Sequence, residues 1–166
     1  LVAAMAQPSV KIVSLTVTEK GYCHDPATGE LNEAHPDIAR DLANMAAPVS
    51  APGFLVAALR ERWQQGLPPF TVLCCDNLPS NGQTVRKVVV RLAERVDPAL
   101  GKHVADEVAF PSTMVDRIVP ATTDADRERV AKATGLDDTW PVVTEVYNNW
   151  VVEDRFPQGR PAWSAT

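Results

Sequence analysis

The run FTVLCC, Phe70 to Cys75, carries no charge and no polar–apolar alternation. A strand with one wet face alternates, so a continuous run of this length suits a strand covered on both faces, as in a parallel sheet. The flanking segments supply the covering layers. Before it lies GFLVAALRERWQQ, Gly53 to Gln65, where Phe54, Leu55, Ala58, Leu59 and Trp63 fall along one side of a helix that Gly66, Pro68 and Pro69 stop. After it DNLPSNG forms a turn, and Asn81 is placed to cap a helix from about Gln83 to Arg95 with Val85, Val88, Val89, Leu92 and Val96 as its inward stripe. KIVSLTVT, Lys11 to Thr18, is a β-branched first strand. Strand, helix, strand, helix implies right-handed crossovers, and the expected class is α/β with a parallel sheet and helices on both faces.

The remaining elements are shorter. LVAAMA reads as the last turns of a helix, PDIARDLAN as a short helix between turns, and Pro98 to Glu107 as a second helix after the long one. A further strand is expected from about Met114. DADRERVAKATG is a helix stopped by Gly135, PVVTEVYNNWVVED a strand or hairpin, and FPQGRPAW a connector. Leu1 is not an initiator methionine, so the 166 residues are expected to be a piece of something larger.

Composition narrows the function classes. With 45% hydrophobic and 22% charged residues the chain has the profile of an ordinary soluble domain, and no run approaches the length of a membrane span. A cytoplasmic protein is expected. The net charge of −5 without a Lys/Arg cluster offers no footprint for nucleic acid or an anionic membrane, which leaves small molecules as partners. Cys23 and the vicinal Cys74 and Cys75 are expected to be reduced thiols. Cys23 with His24 and His35 lacks CxxC or HExxH spacing, so no metal is expected. There is also no GxSxG, no GxxxxGK[ST] and no GxGxxG.

Ligands of an open parallel sheet gather beyond the carboxyl ends of its strands. Cys75, Asp76 and Asn77 follow one strand, and Thr18, Glu19 and Lys20 follow the other, so both loops should share one rim. Asn77 offers an uncharged amide suited to holding a substrate oxygen as charge develops on it, or else it supports an Asx-turn. Asp116 and Arg117 interrupt the apolar stretch FPSTMVDRIVP. Adjacent strand residues point to opposite faces, so each needs its own partner, either a ligand or an ion pair with a neighbouring element.

Four ordered stretches, TVTEKGY (Thr16 to Tyr22), FTVLCCDNLPSNG (Phe70 to Gly82), FPSTMVDRIVPATT (Phe110 to Thr123) and WVVEDRFPQGRPAW (Trp150 to Trp163), resemble the polyol-specific long-chain dehydrogenases, the mannitol dehydrogenase family. The spacing V-x-F-x-x-T-x-V-D-R-I-x-P, Val108 to Pro120, resembles that family's signature. The wordings SLTVTEKGYC and MVDRIVP are most similar to its D-mannonate oxidoreductases, or fructuronate reductases. The resemblance implies a Rossmann-like nucleotide domain over residues 1–166, the second part only, with the glycine-rich loop upstream and a helical catalytic domain bearing K-x4-N-x2-H downstream. It implies metal-free, NAD(P)-dependent hydride transfer at a secondary alcohol of a polyol or sugar acid, with D-mannonate and fructuronate favoured and mannitol and fructose next. NAD is the expected cofactor. NADP stays open, since the residue that reads the ribose 2′ position is expected upstream.

Carried over by motif, Asn77 is the catalytic contribution, helping to hold the reacting oxygen. Val115 and Asp116 line the nicotinamide end of the cofactor, Thr18 and Lys20 are cofactor neighbours, and Arg117 supports its loop. Cys74 stands where family members commonly have serine, and its place inside a strand implies packing. YNNW, Tyr147 to Trp150, also departs from the relatives. The 166 residues alone are expected to be inactive, because the lysine base lies outside them. The alternative is a non-catalytic small-molecule-binding or scaffold domain of the same fold.

Overall fold

The structure, a computed structural model, describes residues 1–163. The chain forms two compact units, the first comprising Leu1–Met114 with residues 152–163 and the second Val115–Val151.

The first unit is built on a parallel pair, β1 (Ile12–Leu15) and β2 (Thr71–Cys74), in the register Ile12 to Thr71 through Leu15 to Cys74. All four β2 residues are buried, and because successive side chains point to opposite faces, both faces are covered. The apolar run therefore predicts its environment correctly. β1 is shorter than the expected Lys11 to Thr18. Past Leu15 the chain leaves the ladder, and the amides of Val17 and Thr18 donate to the Asp76 carboxylate instead.

The helices of this unit are α1 (Val2–Met5), α2 (Pro36–Ala43), α3 (Ala51–Gln64), α4 (Asn81–Val96) and α5 (Pro98–Glu107). α3 begins two residues earlier than its apolar stripe predicts. Ser50 caps it by accepting from Gly53 N (3.0 Å), and Pro52 sits in the first turn, where the missing N–H has no intrahelical acceptor to lose. Leu55, Ala58 and Leu59 are buried as expected, with Phe54 and Trp63 packed partly buried against the core. Arg62, which falls on the polar side of that pattern, is fully buried. Val85, Val88, Val89 and Leu92 form the buried stripe of α4. Close packing permits only glycine at Gly82, where a Cβ would come within 2.5 Å of Phe110 O. His35, weighed above beside Cys23, caps α2 through Nδ1, which accepts from Asp37 N (3.2 Å).

Two expectations fail here. Asn81 is not the cap of α4, because Ser80 holds that position and Asn81 is the first helical residue. The strand near Met114 does not join the parallel sheet. Residues 108–110 take that place, buried, with Val72 N donating to Ala109 O (3.0 Å). Pro111 follows at once and has no N–H to continue the ladder. The strand at Thr113–Asp116, β3, pairs instead with β4 (Asn149–Val152) as a two-stranded sheet through which the chain passes from the first unit to the second and back.

The second unit is organised by polar contacts. α6 (Asp124–Thr134) starts on a capping box between Thr123 and Asp126 and ends at Gly135, whose φ of 72° suits glycine, as the sequence predicts. No residue of α6 is buried. Arg127 lies over the Trp140 ring at 5.6 Å and donates to Thr139 O, while Ile118 and Glu145 exchange hydrogen bonds. Of PVVTEVYNNWVVED only Asn149–Val152 is strand. No helix among the described residues is long and apolar enough to cross a membrane.

Candidate active-site rim

The carboxyl ends of β1 and β2 converge on a pocket of about 370 Å³ lined by Thr18, Glu19, Lys20, Asp76 and Asn77. The sequence rule for parallel sheets thus brings the two predicted loops together. The link between them is Asp76. Its carboxylate accepts from Val17 N (2.9 Å), Thr18 N (3.1 Å) and the Tyr22 hydroxyl (2.6 Å). Three donors on one carboxylate, two of them backbone amides of the opposite loop, make a strong charge-assisted anchor.

Thr18 is held in an unusual conformation, φ 66° and ψ 163°, a region populated almost only by glycine. Lys20 lies in the 3-10 turn Glu19–Tyr22, exposed, and its ammonium has no ion-pair partner among the described residues. Asn77 is exposed, and its side chain makes no hydrogen bond among the described residues, which removes the Asx-turn reading. The neighbouring turn is closed by main chain, Leu78 N donating to Asp76 O (2.9 Å).

Val115 and Asp116 occupy β3 in the second unit and are exposed, outside the lining of this pocket. Neither Asp116 nor Arg117 makes an ion pair among the described residues, so the ion-pair reading of FPSTMVDRIVP does not hold. Met114, Ile118 and Val119 are exposed too, and the stretch is no buried strand. Its only strand partner among the described residues is β4, and a two-stranded ribbon has no second layer to bury it.

Asn81 supports the rim from within. Its Nδ2 donates to Cys74 O (3.2 Å), Asp76 O (3.1 Å) and Thr113 Oγ1 (3.0 Å), and its Oδ1 accepts from Thr113 N (2.8 Å). Cys74 is fully buried in β2 with Tyr22 Oη 3.0 Å from its Sγ, a packing role as expected. Sequence reasoning missed the tasks of Asp76, Tyr22 and Asn81. The available signal was the presence of Asp76 beside Asn77 and of Tyr22 inside the other rim motif.

Burial, reinforced by the hydrogen bond to Asp76, pushes the Tyr22 phenol well above its ordinary 10.0, and burial with the nearby Asp37 and Asp41 carboxylates raises the Cys23 thiol from 9.0 to about 11. Both groups fold in their protonated forms. Their contribution to stability is complete below the unfolded values near 9 and 10 and is lost as pH rises above them. Urea midpoints are therefore expected to fall from pH 9 to 11, and to fall less steeply in Tyr22→Phe. Equal slopes for both proteins would contradict this.

The profile of the family described as the Mannitol dehydrogenase Rossmann domain matches residues 1–165. The chain belongs to that family. It is 49% identical over 163 residues to YeiQ of Escherichia coli, an oxidoreductase described as uncharacterized, and 48% identical over 163 residues to a mannitol 2-dehydrogenase of Aspergillus fumigatus. These alignments cover 98% and 97% of the chain but 33% and 32% of the relatives. Among solved structures, the Pseudomonas fluorescens mannitol 2-dehydrogenase in ternary complex with NAD and D-mannitol superposes with a TM-score of 0.89 at 44% identity, over 99% of this chain and 33% of that one. A D-sorbitol dehydrogenase in substrate-free form gives a TM-score of 0.89 at 39% identity, over 97% and 33%. The chain thus spans about a third of the length of these relatives.

Proposed function

We propose that the chain is the second part of the nucleotide-binding domain of a longer NAD-dependent oxidoreductase acting on a secondary alcohol of a polyol or sugar acid. The observation that carries this is the uncommitted Asn77 amide on a pocket formed where two parallel strands end. The family match and the NAD in a 44%-identical relative support the cofactor.

The residues present fit a nicotinamide cofactor. The rim offers an open pocket in which the Lys20 and Asn77 side chains make no hydrogen bond or ion pair among the described residues. NAD, when bound, supplies the hydride acceptor. Asn77 orients the reacting oxygen and donates to it as negative charge grows, without changing its own protonation. Thr18 and Lys20 hold the cofactor from the facing loop. On the family motif, Val115 acts through its backbone and Asp116 through polar contacts at the nicotinamide end of the cofactor. The base that takes the hydroxyl proton comes from the rest of the enzyme, so the 166 residues by themselves show no turnover.

D-mannonate and fructuronate are the favoured pair, on the SLTVTEKGYC and MVDRIVP wordings. The 48%-identical mannitol 2-dehydrogenase supports mannitol and fructose as the second reading. Assay of the full-length enzyme with hexonates, hexuronates, hexitols and ketohexoses, each with NAD(H) and NADP(H), tests this. Turnover of mannonate with NAD is the expected result. Turnover confined to hexitols moves the assignment to the second reading, and no nicotinamide turnover at all leaves a binding or scaffold domain.

A further inference from the structure

We infer that Asp76 is a positioning residue that fixes Asn77 and the Thr18–Lys20 loop in one geometry, an inference that rests on the proposed role of Asn77. The carboxylate grips the facing loop at consecutive amides, Val17 N and Thr18 N, and at the Tyr22 hydroxyl behind it. Those bonds offset the strain of Thr18, a β-branched residue at φ 66°. The backbone on which Asp76 stands is itself fixed, because Asn81 Nδ2 donates to Cys74 O and Asp76 O, and Thr113 Oγ1 donates to Cys74 O (2.6 Å).

Asn77 is the next residue in the chain. Its side chain is free, while the residue before it is tied to α4 by Asn81 Nδ2 on its carbonyl and to the opposite loop through its carboxylate. A donor aimed at a developing charge is effective only if it is held before the charge appears. The side chain that reaches the reacting oxygen and the side chain that aims it are thus adjacent residues with separate tasks.

Asp76→Asn is nearly isosteric but replaces one accepting oxygen with a donor, so it cannot receive all three bonds. In the full-length enzyme it is expected to lower kcat by about tenfold, and by less than about twofold when added to Asn77→Ala, since there is then no amide left to aim. A loss of the same size in both backgrounds identifies a general structural effect and overturns the inference, as does an unchanged kcat in Asp76→Asn. An unchanged kcat in Asn77→Ala overturns the proposed function instead. Amide exchange in the full-length enzyme is an independent measure. Asp76→Asn is expected to speed exchange at Val17 and Thr18 by about tenfold or more, and unaltered exchange shows that the anchor does not hold the loop. Should Asp76→Asn fail to fold, Tyr22→Phe removes one of the three donors and is expected to reproduce the same background-dependent kcat loss at smaller size. Its absence overturns the inference equally.

Discussion

Asn77→Ala in the full-length enzyme lowers kcat by about 10²-fold, the size seen when a single oxyanion donor is removed. The ground-state alcohol or ketone gains little from the amide, whereas the transient alkoxide gains much more, so the loss falls on kcat and leaves KM for the cofactor nearly unchanged. Folding is not expected to suffer. The Asn77 side chain is exposed and makes no hydrogen bond among the described residues, so its removal breaks nothing in the free protein. Asn77→Asp should do worse than alanine, because a carboxylate opposes the same developing charge that the amide stabilises. Steady-state kinetics of both variants, with urea midpoints alongside, check the expectation. A kcat equal to that of the unmodified enzyme would mean that Asn77 has no part in the chemistry.

Arg62→Ala destabilises the chain by about 3–5 kcal/mol, a large share of the stability of a domain this size. The guanidinium is fully buried, with no carboxylate partner among the described residues. Its Nε donates to Pro68 O (2.8 Å), and one terminal nitrogen donates to Gln7 O (2.7 Å), Val10 O (3.1 Å) and Met5 O (3.4 Å), with the plane over the Phe70 ring at 5.7 Å. One side chain thereby ties the N-terminal segment to the end of α3 and the start of β2. Truncation leaves four carbonyls short of a donor and opens a cavity under them. Burial lowers the Arg62 pKa from its ordinary value, yet a guanidinium starts so high that it stays charged. Arg62→Lys should rescue little, since an ammonium lacks the planar fork that spans these acceptors. Urea unfolding of the three proteins checks both statements, and a loss under about 1 kcal/mol for Arg62→Ala would show that water replaces the guanidinium.

Much of this arrangement is written locally. The uncharged run at Thr71–Cys74 identifies a strand covered on both faces, Pro98–Glu107 reads as a helix with its observed bounds, and Gly135 ends α6 where a positive φ is required. The rim is legible for the same reason. In a parallel sheet the residues after each strand share an edge, so Thr18, Lys20 and Asn77 could be grouped from the order of elements alone. Arg62 was not legible, because its helix position looks polar and three of its four acceptors lie 52 to 57 residues away. Asn81 illustrates a local rule that fails: an amide oxygen at a helix start normally caps it by accepting from the first turn, but here Ser80 holds the cap position and Asn81 Oδ1 accepts from the distant Thr113 N.

FPSTMVDRIVP shows the same boundary from the other side. Its β-branched pattern specifies a strand, and a strand forms at Thr113–Asp116. Its partner and exposure depend on Pro111 cutting the ladder to β2 and on β4, about 35 residues further along, taking up the pairing. By itself, then, the sequence determined which segments are helix or strand, which strand is buried and which loops meet at the rim, since periodicity, turn residues and chain order act over short range. Only the tertiary structure decided that Asp76 bridges the rim, that Arg62 is enclosed and that Asn77 is left free. Those outcomes depend on which distant donors and acceptors satisfy one another once water is excluded.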